Sequence, residues 1–588
     1  MVRPVDILEW TVTVEHAGDA TYVKPVGTLG TWPARLTDKI DQWATEAPDR
    51  TFLAQRDGSG GWRSLTYREF REGVRRVAQG LMDTGLDGSR AIAILSGNSI
   101  DHALLAYGAM YAGIPHAPVS PAYSTVSKDH STLGTICGIL RPDLIFASGS
   151  AFEPAINAVR TPDTIVVNDL TTLMPRVVTE DVDRAHSEVT PDTVAKILFT
   201  SGSTGAPKGV LNTHRMLCSN QEMIRTVMRP LAQAPPVICD WLPWHHTFGG
   251  NHNVGLTLYN GGTLYIDEGR PLPGPFQETI RNLREISPTV YFNVPKGYEL
   301  LVRALRSDPG LRETFYKRLG FTFFAAAGLN GQVWDDLDAI SVAQCGEPIA
   351  MLSGLGATET APFALCTGKA LARAGAVGLP VPGVELKLAR VGAKWEARVK
   401  GPNITPGFLR DPELTREAFD EEGYYKMADA LRWLDPEDPQ KGLVFDGRLK
   451  EDFKLSSGTW VSLGPLRVRL IAHFSPYVQD AVLVGADQDD VAALIFPDIA
   501  TCSERCPSPE SERSTFRTLL ASFAEQATGS ASCVRRIIIM REPPSLDAHE
   551  ITDKGSLNQQ VVRERRAALV EDLYKVPAPA HVISVGEQ

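Results

Sequence analysis

The stretch KILFTSGSTGAPKGVLNTH (residues 196–214) decides how the chain reads. Ile197 to Phe199 form an apolar strand that runs into Thr200, Ser201, Gly202, Ser203, Thr204, Gly205, Ala206, Pro207, Lys208 and Gly209. Glycines let successive backbone N–H groups converge on an anion. Four Ser/Thr hydroxyls add donors, and Lys208 adds a compact positive charge. A plain Gly/Ser surface turn is the bland reading. The strand before the loop and the lysine after it point instead to phosphate. The spacing is not that of a Walker A loop, G-x-x-x-x-G-K-[ST]. Five residues after Gly202 stands Pro207, and Lys208 is followed by Gly209, so P-loop kinases and GTPases are disfavoured.

Working outward, the runs AIAILSGNS (91–99), LIFAS (144–148) and TIVVND (164–169) read as further buried strands. In YREFREGVRRVAQGLMDTGL the apolar residues Phe70, Val74, Val77, Leu81 and Met82 recur at helical spacing, and Gly85 closes the helix. Buried strands alternating with helices predict an α/β fold with largely parallel sheets. The 588 residues are about four times a typical domain, so a large unit with a smaller one is expected. The boundary falls near Lys450, after the turn-rich DPEDPQKGLVFDGRLKEDF (435–453). Residues 1–449 would form a large multi-subdomain unit and residues 450–588 a small mobile α+β unit. The small unit's strands lie at 478–486, 491–497 and 533–540, and its terminal helix at NQQVVRERRAALVEDLYK. The tail VPAPAHVISVGEQ is expected to be loosely ordered.

Composition excludes other classes. With 43% hydrophobic and 22% charged residues the chain is ordinary globular protein. Fifty-nine basic against 70 acidic residues give a net charge of −11, the wrong sign for a nucleic-acid partner. No apolar run of about 18 residues is present, so no membrane span is expected, and the opening residues lack the pattern of a signal peptide. The eight cysteines include no CxxC pair. Cys502 and Cys506, in TCSERCPSPESERS, sit in what reads as a polar loop. This usage suits a reducing cytoplasm and no zinc site.

TSGSTGAPKG resembles the phosphate loop of the acyl-adenylate-forming superfamily: acyl-CoA synthetases, peptide-synthetase adenylation domains and beetle luciferases. The resemblance extends from about residue 36 to 575, and the branch it most resembles is that of feruloyl-CoA-synthetase-like enzymes. SGLGATETAP (353–362) resembles the family's Y-G-x-T-E segment. It implies catalytic Thr358, a Mg²⁺-holding Glu359, and Leu355 with Gly356 against adenine, where the family usually has an aromatic residue at 355. DWLPWHHTFGGNHNVGL (240–256) implies that His246 stands beside the substrate carboxylate. Trp244, His245, Phe248 and Asn251 would line the acyl pocket. FFAAAGLNG (323–331) implies an adenine loop with Ala327 and Gly328. GRLKEDFKLSSGTWVS (447–462) implies a ribose or phosphate contact at Arg448, a hinge at Lys450 and a thioester-stage loop at Ser457 and Gly458. HEITDKGSLNQ (549–559) implies the catalytic lysine at Lys554.

One motif departs from the family. Y-[RK]-T-G-D is here Tyr425, Lys426, Met427, Ala428, Asp429. The Asp can still grip the ribose hydroxyls, but Ala428 puts a methyl where the backbone should be permissive. The expectation is an ATP- and Mg²⁺-using ligase that converts an aromatic or bulky hydrophobic carboxylic acid to its CoA thioester through acyl-AMP. Adenylation would be impaired relative to thioester formation from a supplied acyl-adenylate. Transfer to a carrier-protein phosphopantetheine and a nucleotide-binding pseudoenzyme stay open, as does a homodimer.

Overall fold

The computed structural model describes residues 2–585 apart from 202–205, 273, 374, 450, 553, 554 and 556, and only the backbone of Ser201. The expected helix is present as Tyr67–Asp83. Thr66 caps it reciprocally with Glu69, and Gly85 follows at φ +84°. Its apolar stripe, Phe70, Val74, Val77 and Leu81, is buried.

The strands read from the sequence assemble into one sheet. Ile92–Ile94, Leu144–Phe146, Ile165–Val167 and Val194–Ser201 join His116–Pro118 and Pro207–Thr213 in six strands. All pairings are parallel except the hairpin of Val194–Ser201 with Pro207–Thr213. A second sheet of eleven strands was not visible in the sequence beyond its parts. At one end Val290–Asn293, Phe321–Phe324 and Ala350–Leu355 run parallel. At the other, the antiparallel strands Glu385–Val391, Lys394–Lys400, Tyr425–Trp433 and Leu443–Arg448 are extended by the N-terminal hairpin Val12–Ala17/Ala20–Pro25. A third sheet has four strands, including Val237–Asp240.

From Phe453 onward the chain has its own apolar clusters. One is built on Leu466, Leu470, Phe474, Phe516 and Ile537, another on Val484, Leu494 and Val562. Neither contains a residue before Phe453. Val478–Val484, Val491–Pro497 and Val534–Ile539 appear as expected. Three expectations fail here. The tail is not loose, because Val582–Ser584 pairs with Val534–Ile539 and Ile583 is buried; the alternation in HVISV is a strand signal. The Cys502 loop is helical, Ile499–Arg505, with Cys502 turned into the core. The terminal helix is broken into Gln559–Arg565 and Ala567–Asp572. At the break, the buried Arg566 pairs with both oxygens of Glu550, at 2.8 and 2.9 Å. Among the described residues no helix is long and apolar enough to cross a membrane.

Candidate active site

The phosphate-loop segment is a β-hairpin whose register sets Lys208 opposite Thr200. The tip, with Gly202, Ser203, Thr204 and Gly205, lies outside the described residues, as does the Ser201 side chain. Thr200 Oγ1 is buried at the base of that tip with no hydrogen-bond partner among the described residues. Lys208 reaches across to the second sheet: its Nζ lies 3.3 Å from Glu359 Oε1 and 4.6 Å above the Phe408 ring. Two motifs about 150 residues apart in sequence therefore meet in one ion pair. The Glu359 side chain is 7% exposed and that of Lys208 27%, so the lysine keeps a path to solvent.

Glu359 is held by its surroundings. Strand Ala350–Leu355 ends at Gly356, where a Cβ would sit 1.5 Å from the Pro362 carbonyl oxygen, so only glycine fits. The turn Thr358–Thr360 follows. The Thr360 carbonyl accepts from Asn403 Nδ2 at 2.8 Å and Asn220 Nδ2 at 3.3 Å, and the Glu359 carbonyl accepts from the Thr405 amide at 2.9 Å. Sequence reading missed Asn220, Asn403 and Thr405. Their signal was that of any buried polar residue, a need for partners that only the fold reveals. Thr358 is buried. Leu355 is half-buried against the core. Ala327 and Gly328 are exposed just past Phe321–Phe324, beside Ala326 at φ +76°. Both loops thus lie at the carboxyl edge of parallel strands, where α/β sheets present ligand sites.

Tyr425, Asp429 and Arg448 join the same cluster. The Tyr425 hydroxyl lies beside Glu359, and burial together with this carboxylate pushes its ionisation far up. Asp429 and Arg448 are register partners, with Arg448 Nε 3.6 Å from Asp429 Oδ1. Burial raises the Asp429 carboxyl to about 6; Arg448 pulls it down while Glu451 and Glu359 push it up. Met427 packs against the core, and Ala428 adopts φ +60° with its carbonyl accepting from the Leu449 amide at 3.0 Å. The left-handed backbone is thus present although the residue is not glycine. A Mg²⁺ ion fits this donor set only as a ligand shared with phosphate oxygens. Glu359 is the hard oxygen donor at hand, and the described residues hold no cluster of three ligating groups.

The His246 segment is a tight turn after strand Val237–Asp240. The Gly250 amide donates to the His246 carbonyl at 2.8 Å, and a Cβ on Gly250 would lie 2.2 Å from the Trp244 oxygen. Phe248–Asn253 then winds as a π-helix. His245 and His246 have ring centroids 4.3 Å apart. Phe248 packs edge-on to Phe323. Trp244 is buried, its ring edge-on to His102 at 5.2 Å. Asn251 is buried too, donating to Asn212 Oδ1 at 2.8 Å and Thr247 Oγ1 at 3.1 Å.

Lys450 and Lys554 lie outside the described residues. Ser457 and Gly458 form the exposed tip of the hairpin Phe453–Lys454/Trp460–Val461, with Ser457 bonded to Thr459 at 2.9 Å. In the segment leading to Lys554, Asp547 accepts from the Lys128 amide at 3.2 Å, a contact between the two parts of the chain.

Comparison with known proteins gives the family. Residues 40–409 match the AMP-binding enzyme family and residues 453–577 the AMP-binding enzyme C-terminal domain. Fatty acyl-CoA synthetase B of Dictyostelium discoideum is 24% identical over 532 residues, spanning 77% of this chain and 75% of its own. Luciferin 4-monooxygenase of Photinus pyralis is 25% identical over 472 residues, spanning 73% and 78%. Among solved structures, the A domain of a carboxylic acid reductase from Segniliparus rugosus, in complex with AMP and a co-purified carboxylic acid, has a TM-score of 0.71 at 20% identity, covering 92% of this chain and 94% of that one. The anthranilate CoA ligase AuaEII, in complex with anthranoyl-AMP, has a TM-score of 0.72 at 18% identity, covering 92% and 99%. These likenesses are of fold, while the family match extends over most of the sequence: the chain belongs to the AMP-binding enzyme family of adenylate-forming ligases.

Proposed function

We propose that the protein is an acyl-CoA ligase for an aromatic or bulky hydrophobic carboxylic acid. The observation that carries this reading is the Lys208–Glu359 pair, which joins the phosphate hairpin to the Thr358–Glu359 turn beside Asp429. In the first step a carboxylate oxygen attacks the α-phosphorus of ATP, and the bond to pyrophosphate breaks, giving acyl-AMP. Mg²⁺ bound with ATP would neutralise phosphate charge, with Glu359 as its protein ligand. Lys208 supplies positive charge at the phosphates, Asp429 accepts from the ribose hydroxyls, and Arg448 lies beside them. His246 positions the acid. Thr200, Thr358 and the loop 202–205 donate to phosphate oxygens, while Ala327, Gly328, Leu355 and Gly356 flank the adenine. Lys554 stabilises charge between carboxylate and α-phosphate. In the second step the CoA thiolate attacks the acyl carbon and AMP leaves. Residues 450–588 would turn about Lys450 between steps, withdrawing Lys554 and bringing the Ser457–Gly458 tip to the thioester site.

The conformation of Ala428 favours a refinement. A strained residue next to Asp429 weakens the ATP pose more than the thioester step, which needs no pyrophosphate alignment. Adenylation is then the slow half-reaction.

The test is mass spectrometry of products after incubation with a panel of acids, ATP, Mg²⁺ and CoA. AMP and one acyl-CoA are expected. Lys554→Ala should abolish ATP–pyrophosphate exchange while sparing thioester formation from synthetic acyl-AMP. No thioester from any acid or acyl-adenylate overturns the CoA reading, and acyl transfer only to a carrier protein replaces it with the other acceptor.

A further inference from the structure

Behind the His246 turn lies a cavity of ≈ 20 Å³ lined by Lys196, His102, His116, Tyr107, Trp244 and Gly250 among others, room for one water molecule. Lys196 is on the strand that runs into the phosphate loop. It is 7% exposed and makes no ion pair among the described residues; its Nζ donates to the Gly250 carbonyl at 3.4 Å. His116 is its parallel-strand partner, 1% exposed, with Nδ1 lacking a partner among the described residues. His102 is 4% exposed and its Nδ1 is bonded to the Gly97 carbonyl at 3.1 Å. A buried ammonium without a carboxylate is costly, and a methionine would fill the same space without that cost. So costly a residue calls for a use.

We propose that Lys196 is a positioning residue: its buried ammonium grips the Gly250 carbonyl and holds the turn carrying His246 in register with the phosphate-loop strand. The inference rests on the reading above, in which His246 meets the acid and the hairpin meets ATP. With the Asn251–Asn212 bond at 2.8 Å, this contact sets the distance between the two reactants, where an error of about 1 Å costs roughly 10²-fold in rate. The unpartnered His116 Nδ1 and the ammonium can share the single water.

The charge of Lys196 is itself titratable. Burial lowers its pKa to about 8. The groups facing it are His102 and Tyr107 from helix Ile100–Tyr111 and His116 from its strand, with His214 and His245 beyond. Burial lowers His102 to about 4 and His116 well below its ordinary value, and raises Tyr107, so none of these three changes charge between pH 7 and 10. The charge-assisted grip should therefore hold below pH 8 and weaken above it.

The experiment is hydrogen exchange of the full-length protein without substrates, in wild type and Lys196→Met. At pH 7 the variant should exchange the amides of 246–253 about tenfold faster, and the difference should narrow by pH 10, once the wild-type ammonium is lost. Steady-state kinetics should show the variant's KM for the acid raised about fivefold or more with its KM for ATP within about twofold. Its thermal stability should not fall, which separates positioning from a structural strut. Equal exchange at pH 7 overturns the inference, as does a variant that loses stability without a change in the acid KM. Should the variant fail to fold, wild-type exchange of 246–253 against a distant reference segment decides it: no extra acceleration through pH 8 refutes the idea. If no acid is turned over, the functional reading fails while the exchange result still stands or falls alone.

Discussion

Replacing Ala428 by glycine should make this protein more stable, the opposite of the usual effect of glycine in a strand. Ala428 lies in strand Tyr425–Trp433 at φ +60°. There the register with Leu443–Arg448 shifts between Asp429 and Leu431. The bond from the Leu449 amide to its carbonyl fixes this conformation. A left-handed backbone costs an L-residue about 1–2 kcal/mol, and glycine removes that cost. Against it, glycine loosens the unfolded chain by about 0.4–1 kcal/mol. The difference leaves Ala428→Gly more stable by about 0.5–1 kcal/mol. For a unit of some 400 residues this moves Tm by only about 1 °C, so the urea midpoint of the N-terminal unit is the better measure, with the slope unchanged.

A second variant removes ambiguity. Ala428→Val places a β-branched side chain in the same left-handed region and should cost about 1–2 kcal/mol or more. If glycine and valine variants unfold at the same urea concentration as wild type, the strain is not there. If glycine destabilises by about 0.5 kcal/mol or more, the methyl's contacts hold the conformation and do not merely tolerate it. The functional arm follows. Relief at Ala428 should speed ATP–pyrophosphate exchange with the cognate acid and leave acyl-AMP-to-CoA transfer unchanged. Unchanged exchange would remove Ala428 as the cause of the proposed slow adenylation.

Asp429→Asn should stabilise the protein while impairing activity. The carboxyl titrates at about 6 in the fold against 3.8 in the open chain. The folded form therefore keeps a proton that the unfolded form releases, and wild-type stability present below about pH 4 is lost as pH rises through 6. The gap between variant and wild type should widen by about 3 kcal/mol over that window; a flat difference in pH-dependent urea midpoints refutes the burial. Lys208→Met should cost at least about 10²-fold in pyrophosphate exchange and leave Glu359 without its cation. Glu359→Gln in the same background should recover stability but not activity, and additive stability losses would deny the ion pair. Gly356→Ala, with its Cβ 1.5 Å from the Pro362 oxygen, should cost about 3 kcal/mol or more and yield little soluble protein. Glu550→Gln should uncouple the buried Arg566 at about 3–5 kcal/mol, seen as faster proteolysis within 542–572 while the N-terminal unit resists as before.

The sequence revealed those parts of the fold whose information is local. The buried runs at 92–94, 144–146 and 194–201 became strands because apolar stretches of this length have few other uses. The helix at 67–83 followed from its 3.6-residue stripe and its cap. The eleven-stranded sheet was hidden because its pairings are non-local. Nothing in residues 20–25 announces that they pair with 385–391. The terminal helix looked continuous because no local rule forbids Arg566 from helix; the Glu550 carboxylate beside it, which only the fold supplies, accounts for the break. The candidate site shows the same division. Lys208 and Glu359 were legible from motif register, but their ion pair was not. Asn220, Asn403 and Thr405, which lock the Thr358–Thr360 turn, carry no motif at all.

The arrangement of apolar groups bears on the proposed swing of the small unit. A unit can reorient only if parting from its neighbour exposes little apolar surface. The clusters of Leu466, Phe474 and Phe516 and of Val484, Leu494 and Val562 take no residue from before Phe453. Polar contacts between the two parts include the Lys128 amide with Asp547 and the Lys394 ammonium with Asp452. Water can replace such bonds at little net cost. Asn220, Asn403 and the Lys196 grip, in contrast, are buried and built into the large unit. Rigidity is therefore concentrated where ATP and the acid must be aligned, and exchangeable contacts lie where the segment before Lys554 meets the large unit. The proposed cycle, in which Lys554 serves one half-reaction and leaves for the next, needs that partition. Strengthening the Lys128–Asp547 seam with a disulfide between Lys128→Cys and Asp547→Cys should trap the protein in one of the two proposed states. It should preserve one half-reaction and stop the other, and loss of both, or of neither, would show that the seam does not move during turnover.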